Sequence, residues 1–130
     1  MTSEPRHRTY GYTASEAISF FPGELPIDAV GLWQIVPSGR DGFGLRGAVL
    51  DDFVRRGILA LLNAGAVPVR HIPGSAYEWD IQRQYGTTHA EIASAILAEW
   101  HAMPDDPLVL CGEGVRFARA RPGTKYVKLD

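Results

Sequence analysis

Gly42-Phe43-Gly44-Leu45-Arg46-Gly47 spells G-x-G-x-x-G, and with Arg40 just upstream it is the stretch of this sequence best suited to hold an anion. Glycines let backbone amides approach a phosphate closely, and a helix starting after such a loop turns its positive end toward the ligand. One expectation is therefore a small enzyme or ligand-binding protein that takes an anionic or phosphate-bearing compound on Arg40, Gly42, Gly44 and Arg46. A dinucleotide fold is not expected. It needs a strand directly before the loop and an acidic residue about 20 positions later, where this chain has Val67 and its neighbours. Asp41, Asp51 and Asp52 also oppose a phosphate nearby.

Other reactive residues fit catalytic templates only in part. Cys111 ends the apolar run Leu108 to Cys111, and a thiol there acts as a nucleophile only if His71, His89 or His101 comes close in space. A small buried side chain is the simpler reading of a lone cysteine in that setting. His89-Ala90-Glu91 matches half of a zinc deaminase signature, but one cysteine cannot supply the other half. With no H-E-x-x-H and no cysteine cluster, no metal site is expected, and no motif implies a cofactor. Glu78 and Asp80 share one face of an expected strand, where paired carboxylates could do acid and base work, though a solvated polar face explains them more simply. Between Val115 and Asp130, five basic residues alternate with Phe117 and Tyr126. The chain as a whole is nevertheless acidic, and nucleic acid is not the expected partner.

Every catalytic template thus fails on a required residue, and the leading expectation is a non-enzymatic binding or protein-interaction module. Three Trp, five Tyr and five Phe are many for one small core. Some should face a partner or a second copy of the chain. Tyr77, Trp79 and Tyr85, on and just after an expected hairpin, are the named candidates for that surface, with Tyr10, Tyr12, Trp33 and Trp100 among the other large aromatics.

The elements that would position these residues follow from periodicity. Leu50, Phe53, Val54, Ile58, Leu61 and Leu62 form one helical stripe, predicting a central helix over 48–64 with Asp51–Arg55 and Asp52–Arg56 pairs on its wet face. A capping box at Thr88 to Glu91 opens a second helix over 89–103, with Ile92, Ala95, Ile96, Trp100 and Met103 inward. Thr13 to Glu16 has the same spacing and predicts a short helix from Ala14 to Phe21, stopped by Pro22-Gly23. Segments 67–72 and 77–83 alternate with period two around a Pro-Gly-Ser-Ala turn and read as a hairpin, its first strand placed at a sheet edge by Pro68. Short strands are expected at 108–111, 115–120 and 126–129, with a turn at 121–124. Residues 26–36 read as helix in preference to strand, and Pro37 to Gly44 as loop.

The sum is an α+β fold of two main amphipathic helices on a small, mostly antiparallel sheet, in a single domain over 12–130 after a mobile arm at 1–11. At 130 residues, 45% hydrophobic and 22% charged, with a net charge of −2, the chain has the balance of an ordinary globular protein. Its apolar stretches are too short to cross a bilayer, its first residues lack a secretory core segment, and its single cysteine precludes an internal disulfide. A soluble, cytoplasmic protein is expected.

Overall fold

The two capping boxes do start helices. The fold, seen in a computed structural model, is described for residues 4–25, 29–71, 78–103, 115–119 and 126–128. Thr13 Oγ1 accepts from the Glu16 amide at 3.1 Å while Glu16 Oε1 accepts from the Thr13 amide at 3.1 Å, opening α1 (Ala14–Phe20). The α-helix ends just before Pro22, as expected, and the chain continues without a break. Pro22 sits in the first turn of a 3-10 segment, Phe21–Glu24, where a missing amide hydrogen costs nothing.

Residues 29–37 divide between the two readings of that stretch. Val30–Gly31 form the short strand β1, and Leu32–Pro37 form α2, whose first turn is fixed by the Gly31 amide donating to Gln34 Oε1 at 3.0 Å. Pro26 to Asp28 lie outside the described residues. The loop expected from Pro37 to Gly44 is in large part not a loop, since α2 runs on into a π-helical turn over Ser38–Gly42. Its composition suggested a turn, but buried Gly39 serves packing. A Cβ at Gly39 would lie 2.7 Å from Phe53 Cδ1 and 2.9 Å from Leu50 Cδ1.

The central helix α3 (Gly47–Asn63) buries Leu50, Phe53, Val54, Gly57, Ile58, Leu61 and Leu62, the expected stripe. Its expected i,i+4 ion pairs do not form. Arg55 donates instead to Ser94 Oγ at 3.0 Å, and Arg56 to Ser15 Oγ at 2.8 Å with Glu4 beside it, while Asp51 meets His101. Cross-element partners win because an exposed pair within one helix contributes only a few tenths of a kcal/mol. Helix α4 (His89–Ala102) runs antiparallel to α3. The two are tied at one end by His89 Nδ1 with Asn63 Oδ1 at 2.8 Å, near the middle by Arg55 with Ser94, and at the other end by Asp51 with His101 at 3.0 Å.

Strands β2 (Ala66–His71) and β3 (Glu78–Ile81) form the expected hairpin, with Val69 opposite Ile81 and His71 opposite Trp79. The strands β4 (Arg116–Arg119) and β5 (Tyr126–Lys128) complete a sheet of order β1-β4-β2-β3-β5, antiparallel at each described pair. The edge position expected for the first hairpin strand is therefore incorrect, because β2 lies between β4 and β3. Pro68 is tolerated there because its carbonyl accepts from the Gln82 amide at 2.9 Å, one residue beyond the end of β3. The amide that proline lacks thus falls at the end of the ladder. The strand expected at 108–111 and the turn at 121–124 lie outside the described residues.

Helices and sheet close over a core that includes Val30, Ile35, Phe53, Ile58, Leu61, Ile96 and Phe117, each essentially inaccessible to solvent. Among the described residues no helix is long and apolar enough to cross a membrane.

Candidate functional site

The G-x-G-x-x-G stretch is positioned by α2 and α3 and covered by the chain's own N-terminal segment. Residues Glu4 to Gly11, expected as an arm, lie against the body of the fold. The Ala14 amide donates to Pro5 O at 3.0 Å, the Arg8 amide to Gly42 O at 2.8 Å, and the His7 amide to Tyr12 O at 2.8 Å. A Cβ on Gly42 would sit 2.8 Å from the His7 ring, and the Arg8 guanidinium occupies the place a Gly44 side chain would take. Gly44 also has φ near 70°, a backbone conformation natural to glycine.

The four residues expected to cradle an anion are therefore not brought together on one open surface. Arg46 Nη1 turns back to donate to Arg40 O at 3.0 Å and Leu45 O at 2.8 Å. Phe43 and Leu45 are buried plugs. Of the four, Arg40 lines an open cleft of about 300 Å3 between the start of α3 and the end of α4, with Gly47, Leu50, Asp51, Trp100, His101 and Met103. There the His101 ring stacks on Trp100 with centroids 4.8 Å apart and pairs with Asp51. Asp51, as an acid near the start of α3, suits the helix end that carries it.

The expected hairpin surface is corrected at Tyr85. Its side chain is 9% exposed, and its hydroxyl donates to Glu99 Oε2 while accepting from Arg70 Nη2 at 3.0 Å. Tyr85 is a core residue with a satisfied polar tip. Tyr77 and Trp79's side chain lie outside what is described, as do Cys111 and the basic residues Arg121 and Lys125. Asp80 is exposed, Arg119 is exposed, and Arg116 lies over the Trp33 ring at 5.9 Å. No group of three or more His, Cys, Asp or Glu among the described residues is placed to hold a metal ion.

An aromatic surface does exist, at the N-terminal segment. Tyr10 is 74% exposed and Phe20 52%. Tyr10 and Tyr12 are nearly parallel, with centroids 6.0 Å apart. His7 lies within 4.9 Å of both ring centres, Phe20 meets Tyr12 edge-on at 5.3 Å, and Phe43 anchors the group to Phe53 in the core. Beside it is a cleft of about 250 Å3, lined among the described residues by Tyr12, Ala17, Phe20, Phe21, Glu24, Gln34 and Ser38. Local pattern could not have found this patch. Tyr10 and Tyr12 flank a glycine in a segment without periodicity, and Phe20 is the outward residue of an otherwise ordinary helix.

No family model, curated protein or solved structure matches this chain.

Proposed function

We propose that the protein is an interaction module that docks a partner polypeptide on the His7–Tyr10–Tyr12–Phe20 patch. The observation that supports this is the pair of large exposures at Tyr10 and Phe20 inside one contiguous ring cluster. Scattered exposed apolar side chains are ordinary, but joined aromatic surface is unusual on a monomer and common at the centre of interfaces. Rings also lose little rotational freedom on binding, so they give contact area at low entropic cost.

Selection of a random peptide library against the purified protein tests the reading. Enriched peptides should bind the wild-type protein and lose about tenfold or more in affinity on Tyr10→Ser/Phe20→Ser, a variant expected to keep its melting temperature because both side chains are exposed. Absence of enrichment, or equal binding to the variant, would remove the patch from function. A wild-type dimer that the variant dissolves would instead make the partner a second copy of the chain.

A second reading, binding of a small anionic compound, is favoured only by Arg40 in its open cleft. It requires thermal stabilisation by phosphate or a small carboxylate that Arg40→Ala abolishes.

A further inference from the structure

We infer that the cleft beside Phe20 receives a basic side chain of the partner, arginine before lysine; this rests on the interaction reading above. Three of its lining residues, Tyr12, Phe20 and Phe21, are aromatic, and an aromatic ring offers a cation the partial negative charge of its face. Glu24 is the only charged residue among the described lining residues, and its exposed carboxylate has no hydrogen-bond or ion-pair partner among the described residues. Gln34 and Ser38 add neutral polar atoms, one of which, Gln34 Oε1, already accepts from the Gly31 amide.

The occupant's chemistry follows by elimination. An anionic group would be repelled by the Glu24 carboxylate. A purely apolar group would strip water from Glu24, Gln34 and Ser38 and return no hydrogen bond. A side chain with an apolar stem and a cationic head satisfies both halves, its stem along Phe20 and Phe21 and its head at Glu24. Guanidinium is preferred to ammonium because it is planar, stacks on rings and pairs with a carboxylate through two parallel hydrogen bonds. The space, about 250 Å3, suits one long side chain and not a folded domain.

The test uses four synthetic peptides that share a Gly-Ser frame and carry Arg, Lys, Met or Glu at the centre, titrated into the full chain and followed by amide chemical shifts. The Arg peptide should bind best and perturb Phe20, Glu24 and Gln34. Glu24→Gln, which keeps shape and removes charge, should weaken it by about fivefold and flatten its salt dependence while leaving the Met peptide unchanged. Phe20→Leu, which keeps apolar volume and removes the ring, should weaken the Arg peptide as well. Equal binding of Met and Arg peptides, or an Arg preference indifferent to Glu24→Gln, overturns the cation site. Library peptides that need Phe20 but carry no basic residue overturn it too, and leave the interaction reading standing. If no peptide of either kind touches the patch, both fall.

Discussion

The Tyr85 hydroxyl shows how one residue can mislead a reader of sequence and still have clear chemistry. Its flanks, Gln82-Arg83-Gln84 and Gly86-Thr87-Thr88, are polar, and nothing local announces that Arg70 on β2 and Glu99 on α4 will close over it. Burial, reinforced by the bond to Glu99 and opposed by Arg70, pushes the phenol up to about 12. Arg70 loses solvation in the same place, yet its bonds to Tyr85 and Glu99 outweigh that loss and its affinity for its proton rises. The native state therefore holds the Tyr85 proton more tightly than the unfolded chain, whose tyrosines ionise near pH 10. Stability from this source is complete below about pH 10 and is lost as pH rises toward 12. Tyr85→Phe should cost about 1–2 kcal/mol at neutral pH in denaturant unfolding, and should remove most of the extra loss between about pH 10 and 12. A variant that keeps the wild-type alkaline profile would show that another group controls it. His7, Tyr10 and Tyr12 were equally opaque to pattern, because a tight turn, closed by the His7 amide donating to Tyr12 O and the Gly11 amide to His7 O, brings them together without any periodicity.

At the scale of elements, whatever rests on local chemistry could be read in advance. Both capping boxes, the α3 stripe and the β2–β3 hairpin follow from spacing within a few residues, and all four are present. Ser38–Gly42 was misread because glycine and serine signal both a turn and a close approach, and only the third dimension separates the two. The distinction has a measurable consequence. Gly39 has no positive φ, so Gly39→Ala carries no backbone strain, but its methyl would press on Phe53 and Leu50. It should destabilise by about 1–3 kcal/mol. Gly23→Ala, where a Cβ meets nothing within 4 Å, should be neutral or stabilising by up to about 1 kcal/mol. Equal effects at the two sites in thermal unfolding would count against the packing role of Gly39. The absent i,i+4 pairs on α3 carry a related lesson. Spacing showed that those charges could meet within the helix, but not that Ser15, Ser94 and His101 would offer better partners across it.

For the whole molecule, α3 is the element that touches α1, α2, α4 and β2 alike. Truncating its fully buried Leu61 to alanine should cost about 2–5 kcal/mol and shift fluorescence and circular-dichroism transitions together. Separate transitions would indicate that the sheet melts independently of the helices. The fold class was legible because apolar periodicity reports which face of each element is buried. Strand order was not, because periodicity carries no information on which strand lies beside which. In the sheet, β4 lies between β1 and β2, so Val30 pairs with Phe117 and Pro68 faces the same residue from the other side. During synthesis, β1 therefore waits without its strand partner, and β2 with one edge unpaired, until Arg116–Arg119 has left the ribosome. The helical layer can collapse early, but the sheet closes late, through contacts remote in sequence that are slow to form. A nascent chain of this protein has its greatest need of a chaperone in that interval, and a truncation upstream of β4 should aggregate through those open edges.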